Sequence, residues 1–273
     1  MASKKNKPQD ARATVRAQAQ AQVKAQERRT TMMIIAGSVV GLALFGALIL
    51  FIVNQGDVPE LGAEGSTQPA AADATGGIPV GTGGVAGEDV PADAVRVDVY
   101  LDFMCPICNT FEAINGDDLD ELRESGEIQL YYHPISILDR FSEGTQYSTR
   151  SVAAAGVVAD QAPEYFLDFQ KTLFANQPDE GTTGLSDEDI EQLALLVGVP
   201  EDVAGNLTDS DFRKWATAAT QQASQDGMQG TPTVRVSETG DFADGVMLNN
   251  DADSPTVDYF SEGVLKEYLQ GLG

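Results

Sequence analysis

Cys105 and Cys108 are the only cysteines in a chain of 273 residues, and Pro106 and Ile107 stand between them. A sulfur attacks or binds metal as the thiolate, so the surroundings decide what such a pair can do. Pro106 suits the first turn of a helix, where its missing N–H costs nothing. Cys105 then lies at a helix N-terminus, where unpaired N–H groups and the helix dipole favour negative charge. That placement draws its pKa below the free-thiol value of about 8.5. Cys108, on the first helical turn, can reach Cys105. In the bridged form an external thiolate attacks Cys105. In the dithiol form Cys105 attacks, and Cys108 resolves the mixed disulfide.

Other readings of the pair stand beside this one. Half a zinc site would need further ligands, but there is no second CxxC and His133 is the sole histidine, so no metal is assigned. An inert local disulfide would close a loop too short to add much stability. Buried structural thiols are the third option. With no other cysteine, the fold cannot rest on a disulfide framework and needs an ordinary apolar core.

The elements that must position the pair are legible around it. Val95, Val97, Val99, Leu101 and Phe103 alternate with Arg96, Asp98, Tyr100 and Asp102, which predicts a half-buried strand running into Cys105. Phe111, Ile114, Leu119 and Leu122 predict a helix over 109–123, and a second strand follows over 128–135. Residues 145–226 read as helical throughout, with a capping box at Ser186 and Asp189. Gly230-Thr231-Pro232-Thr233-Val234 opens a return to strand, 242–248 is its expected hairpin partner, and 256–272 reads as a terminal helix. Pro232 by itself reads as a trans strand starter, since cis occurs in only about 5–6% of X–Pro bonds.

The N-terminal part has a different character. Residues 1–31 are a basic tail, with Lys4, Lys5, Lys7, Arg12, Arg16, Lys24, Arg28 and Arg29 against Asp10 and Glu27. Residues 32–53 run for 22 positions without a charge. At about 1.5 Å per residue, such a helix crosses a hydrocarbon core of about 30 Å. The basic flank precedes it, which places the N-terminus in the cytoplasm and residues 54–273 outside. No small-residue cleavage site follows, so the segment reads as an uncleaved signal anchor. Residues 54–93, rich in Gly, Ala and Pro, read as a flexible linker, and 94–273 as one domain. The formal net charge is -25 despite the basic tail. So acidic a body lacks the Lys/Arg contacts that bind phosphate, which excludes a nucleic-acid partner.

Asp102-Phe-Met-Cys-Pro-Ile-Cys108, Phe111-Glu112, the helical insertion and Gly230-Thr-Pro-Thr-Val234 together resemble the DsbA-like branch of the thioredoxin superfamily. The resemblance covers about residues 94–272. With its anchor and acidic domain the chain resembles the membrane-bound thiol–disulfide oxidoreductases of Gram-positive actinobacteria. The expected fold class is α/β, a thioredoxin-like fold with a helical insertion, preceded by one transmembrane helix. The resemblance implies that Cys105 attacks and Cys108 resolves. It implies that Pro232 is a cis-proline facing them, and that Thr231, with Pro106 and Ile107 nearby, meets an extended substrate by strand addition. It implies exported proteins as substrates, a VKOR-like or DsbB-like membrane partner as reoxidant, and no cofactor. A dithiol reductase or isomerase, or a peptide-binding or chaperone module around Pro232, are the alternatives.

Five positions depart from or extend the pattern. Val99 occupies the position, six residues before Cys105, where thioredoxin-type enzymes often bury a carboxylate. Asp102 or Glu112 are the substitutes for proton relay. His133 reads as structural or exposed rather than catalytic. Ile107 stands where strongly oxidising members carry His and offers a thiolate neither donor nor charge. The expected reduction potential therefore lies between about -120 mV and about -270 mV, the values for DsbA and thioredoxin. Redox titration against glutathione measures it, and a potential below thioredoxin's would sink the oxidant reading.

Overall fold

The computed structural model describes residues 60–62, 67–208 and 211–273. The basic tail, the apolar segment 32–53 and the start of the linker lie outside the described residues. Among the described residues no helix is long and apolar enough to cross a membrane.

Five strands form one sheet in the order β1-β3-β2-β4-β5. They are β1 (Ile78–Val80), β2 (Val95–Leu101), β3 (Ile128–Pro134), β4 (Thr233–Ser237) and β5 (Val246–Met247). β2 and β3 are parallel, with Val97 opposite Leu130 and Leu101 opposite Pro134. The remaining pairings are antiparallel. The crossover between β2 and β3 is α1 (Pro106–Ser125), which ends at Gly126 in the left-handed conformation, φ 78°. Between β3 and β4 comes the expected helical insertion: α2 (Tyr147–Gln161), α3 (Phe166–Ala175), α4 (Asp187–Val197), α5 (Glu201–Ala204) and α6 (Phe212–Gln225). The Ser186–Asp189 capping box opens α4 as expected. α7 (Val264–Gln270) closes the chain against α1.

Four expectations fail, each for a local reason. First, the linker does not extend to residue 93. β1 pairs with β3, and Asp73 accepts hydrogen bonds from Thr75 N and Gly77 N while its other oxygen meets Arg96 at 2.9 Å. Its glycines are there for close approach: a Cβ on Gly77 would stand 2.6 Å from His133 Nε2. Second, β2 is buried on both faces, not one. Arg96 and Asp98 are satisfied within a buried cluster, while the Tyr100 hydroxyl has no hydrogen-bond partner. Arg96 forks onto Asp98 and reaches Asp73, His133 Nε2 lies 2.8 Å from Asp98 Oδ1, and the Arg96 guanidinium stacks 3.6 Å over the Tyr131 ring. Burial alone would raise the Asp98 pKa, but bonds from His133 and Arg96 and their charges hold it below the usual carboxylate range. Third, the terminal helix is only seven residues long. Asn249 bonds both the N–H and the carbonyl of Val257, keeping that stretch extended, and Gly263 at φ 75° starts the helix late. Fourth, β5 is shorter than expected because Asp241 caps a helical turn at Phe242–Asp244.

The insertion packs through small residues. Ala153, Ala154, Ala155 and Gly156 are fully buried on α2, and α6 lies against them through Trp215. A Cβ on Gly156 would meet the Trp215 ring at 2.9 Å and Pro69 at 3.1 Å. Alanine is the better helix former by about 1 kcal/mol, yet overpacking a tight core costs about 1–3 kcal/mol. Gly156→Ala is therefore expected to lower stability by up to about 2 kcal/mol, read as the urea midpoint. An unchanged or higher midpoint would show that Trp215 and Pro69 yield freely.

Candidate active site

β2 delivers the chain to the site at Asp102. There the Asp102 carbonyl accepts from Cys105 N at 2.9 Å and its carboxylate accepts from Met104 N at 2.9 Å, which turns the backbone into α1. Cys105 is the N-cap residue, with extended backbone and no side-chain cap, and Pro106 is the first helical residue. The first N–H groups of α1 are thus left to face the Cys105 sulfur. The Cys105 carbonyl accepts from Cys108 N at 3.0 Å and Asn109 N at 3.2 Å, and from Gln177 Nε2 at 3.0 Å. Gln177, just beyond α3, also donates to Phe103 O at 3.0 Å, so the insertion grips this loop directly.

Both thiols are free and differ sharply. Cys105 is 6% exposed, Cys108 is fully buried, and Ile107 between them is 55% exposed. A hydrogen bond from the Cys108 thiol does most to lower the Cys105 pKa. The Thr231 side chain and the N–H groups of Cys108 and Ile107 assist, and against burial they bring it to about 6. Cys108 is pushed far the other way, first by burial and then by Cys105. Ile107 thus helps through its backbone N–H, although its side chain offers nothing. An acidic thiol at the rim beside a buried, non-acidic one is the asymmetry that thiol–disulfide exchange requires.

The Thr231–Pro232 peptide is cis, and the Cys105 sulfur donates to Thr231 O at 3.5 Å. Cys105, Pro106, Ile107, Cys108, Thr231 and Pro232, separated by more than a hundred residues, therefore share one site. Tyr259 adds a member that no sequence signal marked. Its ring stands edge-on to Phe111 at 5.5 Å, its hydroxyl donates to Pro232 O at 3.5 Å, and its carbonyl accepts from Asn115 Nδ2 at 2.8 Å.

The polar candidates separate. Asp102 is at the site, with its carboxylate turned to backbone and to Ser148. His133 is buried in the Arg96–Asp98 cluster, stacked on Tyr100 at 4.2 Å between centroids. Glu112 follows Cys108 by one turn, but its carboxylate points down the helix, 3.0 Å from where a Cβ on Gly116 would be. Neither of its oxygens has a hydrogen-bond partner. Among the described residues no group of His, Cys, Asp or Glu is placed to hold a metal ion.

The sequence profile described as thioredoxin matches residues 85–240, and the chain belongs to this family. Within it the sheet carries a helical insertion between β3 and β4. MdbA, a thiol-disulfide oxidoreductase of Actinomyces oris, superposes with a TM-score of 0.55 at 24% identity, over 78% of this chain and 96% of that one. BdbD of Bacillus subtilis does so with 0.55 at 20% identity, over 76% and 96%. The serine/threonine-protein kinase PknE of Mycobacterium tuberculosis is 30% identical over 146 residues, which is 50% of this chain and 26% of the kinase. The chain thus spans about a quarter of the length of the curated relatives it matches.

Burial raises the Glu112 pKa from 4.5 to about 7, with Lys171 opposing and Asp120 and Asp117 adding to the rise. A carboxyl raised in the folded state contributes stability that is complete below its unfolded pKa and lost as pH rises through the folded one. Between about pH 4.5 and 7 the wild type is expected to lose about 1–3 kcal/mol relative to Glu112→Gln. Urea titrations at pH 5 and 8 measure this, and equal losses in both proteins would contradict it.

Proposed function

We propose that the chain is an extracytoplasmic thiol–disulfide oxidoreductase that carries a Cys105–Cys108 disulfide to exported proteins. Residues 1–31 are its cytoplasmic tail and 32–53 its anchor. The tether ends before Leu61, which packs against the core. The single observation behind the exchange reading is the placement of an acidic Cys105 at the N-cap of α1, against the Thr231–Pro232 turn.

The reaction moves two electrons. A substrate thiolate attacks Cys105 Sγ, the Cys105–Cys108 bond breaks, and the Cys108 sulfur leaves and takes a proton. A second substrate thiolate attacks the substrate sulfur of the mixed disulfide and expels Cys105 as its thiolate. The substrate is oxidised and the pair reduced. Burial and Cys105 keep Cys108 protonated, which suppresses its return attack on the mixed disulfide. Thr231 offers its backbone to the extended substrate beside Cys105. A quinone-linked membrane partner of the VKOR or DsbB kind restores the disulfide.

The oxidising direction is supported by the acidity of Cys105. A pKa of about 6 falls between those of thioredoxin, about 7, and DsbA, about 3.5. A more stable thiolate stabilises the reduced form and so makes the disulfide a stronger oxidant. Cys105→Ser is expected to lower oxidation of a dithiol peptide at least a hundredfold, whereas Cys108→Ser accumulates mixed disulfides with exported proteins. Retained activity in Cys105→Ser would refute the site. Acid-trapping the thiols in intact cells tests direction: a mostly oxidised pair supports the oxidase, a mostly reduced one a reductase or isomerase.

A further inference from the structure

Asp102 takes no part in the exchange just described, yet its side chain is bonded directly to the cysteine loop. It is fully buried. Oδ1 accepts from Met104 N at 2.9 Å and Ser148 Oγ at 2.7 Å, and Oδ2 accepts from Leu138 N at 3.0 Å. Its own carbonyl holds Cys105 N. One residue therefore joins the end of β2, the cysteine loop, the turn after β3 and the first turn of α2.

The three donors are not equivalent. Met104 and Leu138 present amide N–H groups, which can only donate. Ser148 presents a hydroxyl, which can donate to a carboxylate or accept from a carboxylic acid. The site can therefore satisfy Asp102 in both protonation states through one hydroxyl rotation. The other ionisable groups facing it are few. Cys105 caps α1, Cys108 stands on its first turn, and Tyr147 stands on α2. Arg150, further along α2, is bonded to Asp187, and Asp139 in the turn is bonded to Thr149. Among the described residues no cation is paired with Asp102. Burial raises its pKa to about 7, its three hydrogen bonds oppose that rise, and the Cys105 charge adds to it.

Two neighbouring buried groups cannot both be charged cheaply. When the pair is reduced, the Cys105 thiolate is present and disfavours the Asp102 carboxylate. When the sulfurs join, that charge is gone. We propose that Asp102 is a positioning residue that takes up a proton when Cys105–Cys108 is reduced and releases it when the disulfide forms, with Ser148 reversing its hydrogen bond between the two states. Reduction then consumes two electrons and two protons in this pH range, one on Cys108 and one on Asp102. Oxidation returns both protons to solvent. The inference rests on the exchange reading above.

The equilibrium of the full-length protein with glutathione, measured from pH 5 to 8, tests it against Asp102→Asn. The constant for forming the reduced pair is expected to fall with rising pH in wild type relative to the variant, by up to tenfold per pH unit. A ratio that stays flat overturns the inference. Because the variant can fail to fold, infrared difference spectra of reduced minus oxidised wild type at pH 6.5 supply a second reading. A carboxylic-acid band should appear on reduction and persist in Glu112→Gln. Its absence from wild type, or its loss in Glu112→Gln, overturns the proposal. Exchange that survives Cys105→Ser condemns the exchange reading itself. An inactive Cys105→Ser together with a flat ratio condemns Asp102 alone.

Discussion

A helix that begins at Pro106 has only the Cys105 carbonyl to receive its leading N–H groups, and the surroundings of the site answer that one deficit. An Asp or Ser at the N-cap would satisfy it with a hydroxyl or carboxylate. Here the N-cap is Cys105, whose side chain makes no cap bond. The electrostatic demand remains, and a thiolate is the group on hand to meet it. Cys108 adds a thiol donor, and the Thr231–Pro232 turn closes the opposite side. Stability and reactivity are thus opposed at this point. The helix start is weaker than a capped one, and the same weakness makes the sulfur acidic.

The loop that presents the sulfur is held from behind by the insertion. Gln177 donates to Phe103 O and Cys105 O, and Ser148 reaches Asp102. α2, from which Ser148 projects, is itself pinned by Gly156 against Trp215 of α6. The insertion therefore does more than cover the sheet. It fixes the backbone from which the leading turn of α1 departs. Tyr259 provides the matching support for Pro232 from the C-terminal side, through Phe111 and Asn115 of α1.

Much of this was legible in the order of residues. The alternation at Val95–Phe103 and the proline after Cys105 locate the strand and the helix start, whereas the facing turn at Thr231–Pro232 followed only from the family resemblance. The Ser186–Asp189 box locates α4. What alternation could not reveal was how deeply the polar face of β2 is buried. Arg96, Asp98 and Tyr100 look solvent-facing one by one. Asp73 and His133, distant in sequence, complete the bonds of Arg96 and Asp98, and the Tyr100 ring stacks on His133. The same pairing draws residues 69–80 out of the expected linker and into the sheet. Its Gly-Pro composition reads as flexibility until close approach to His133 explains Gly77. Gln177 and Tyr259 carried no signal, since an amide in a turn and a tyrosine in a loop are ordinary.

The position of Val99 shows how such a site can do without the usual acid. Val99 lies between Val97 and Leu101 on its face of β2, in register with Tyr132 on one side and Val234 on the other. Three residues on, where the strand has ended, backbone amides become available and a serine can be brought in from α2. Asp102 occupies that place with all three partners satisfied. Glu112 is the contrasting case. It is buried on α1 with both oxygens unpartnered, and its carboxylate is turned towards Gly116, away from the sulfurs. Both acids are pushed up to about 7, but by different routes. For Glu112 burial leads, with Asp120 and Asp117 adding and Lys171 opposing, and no sulfur contributes. For Asp102 burial works against three hydrogen bonds and with the charge of Cys105. Only the second arrangement lets the state of the sulfurs change the state of the carboxyl, because only there do the two groups feel each other.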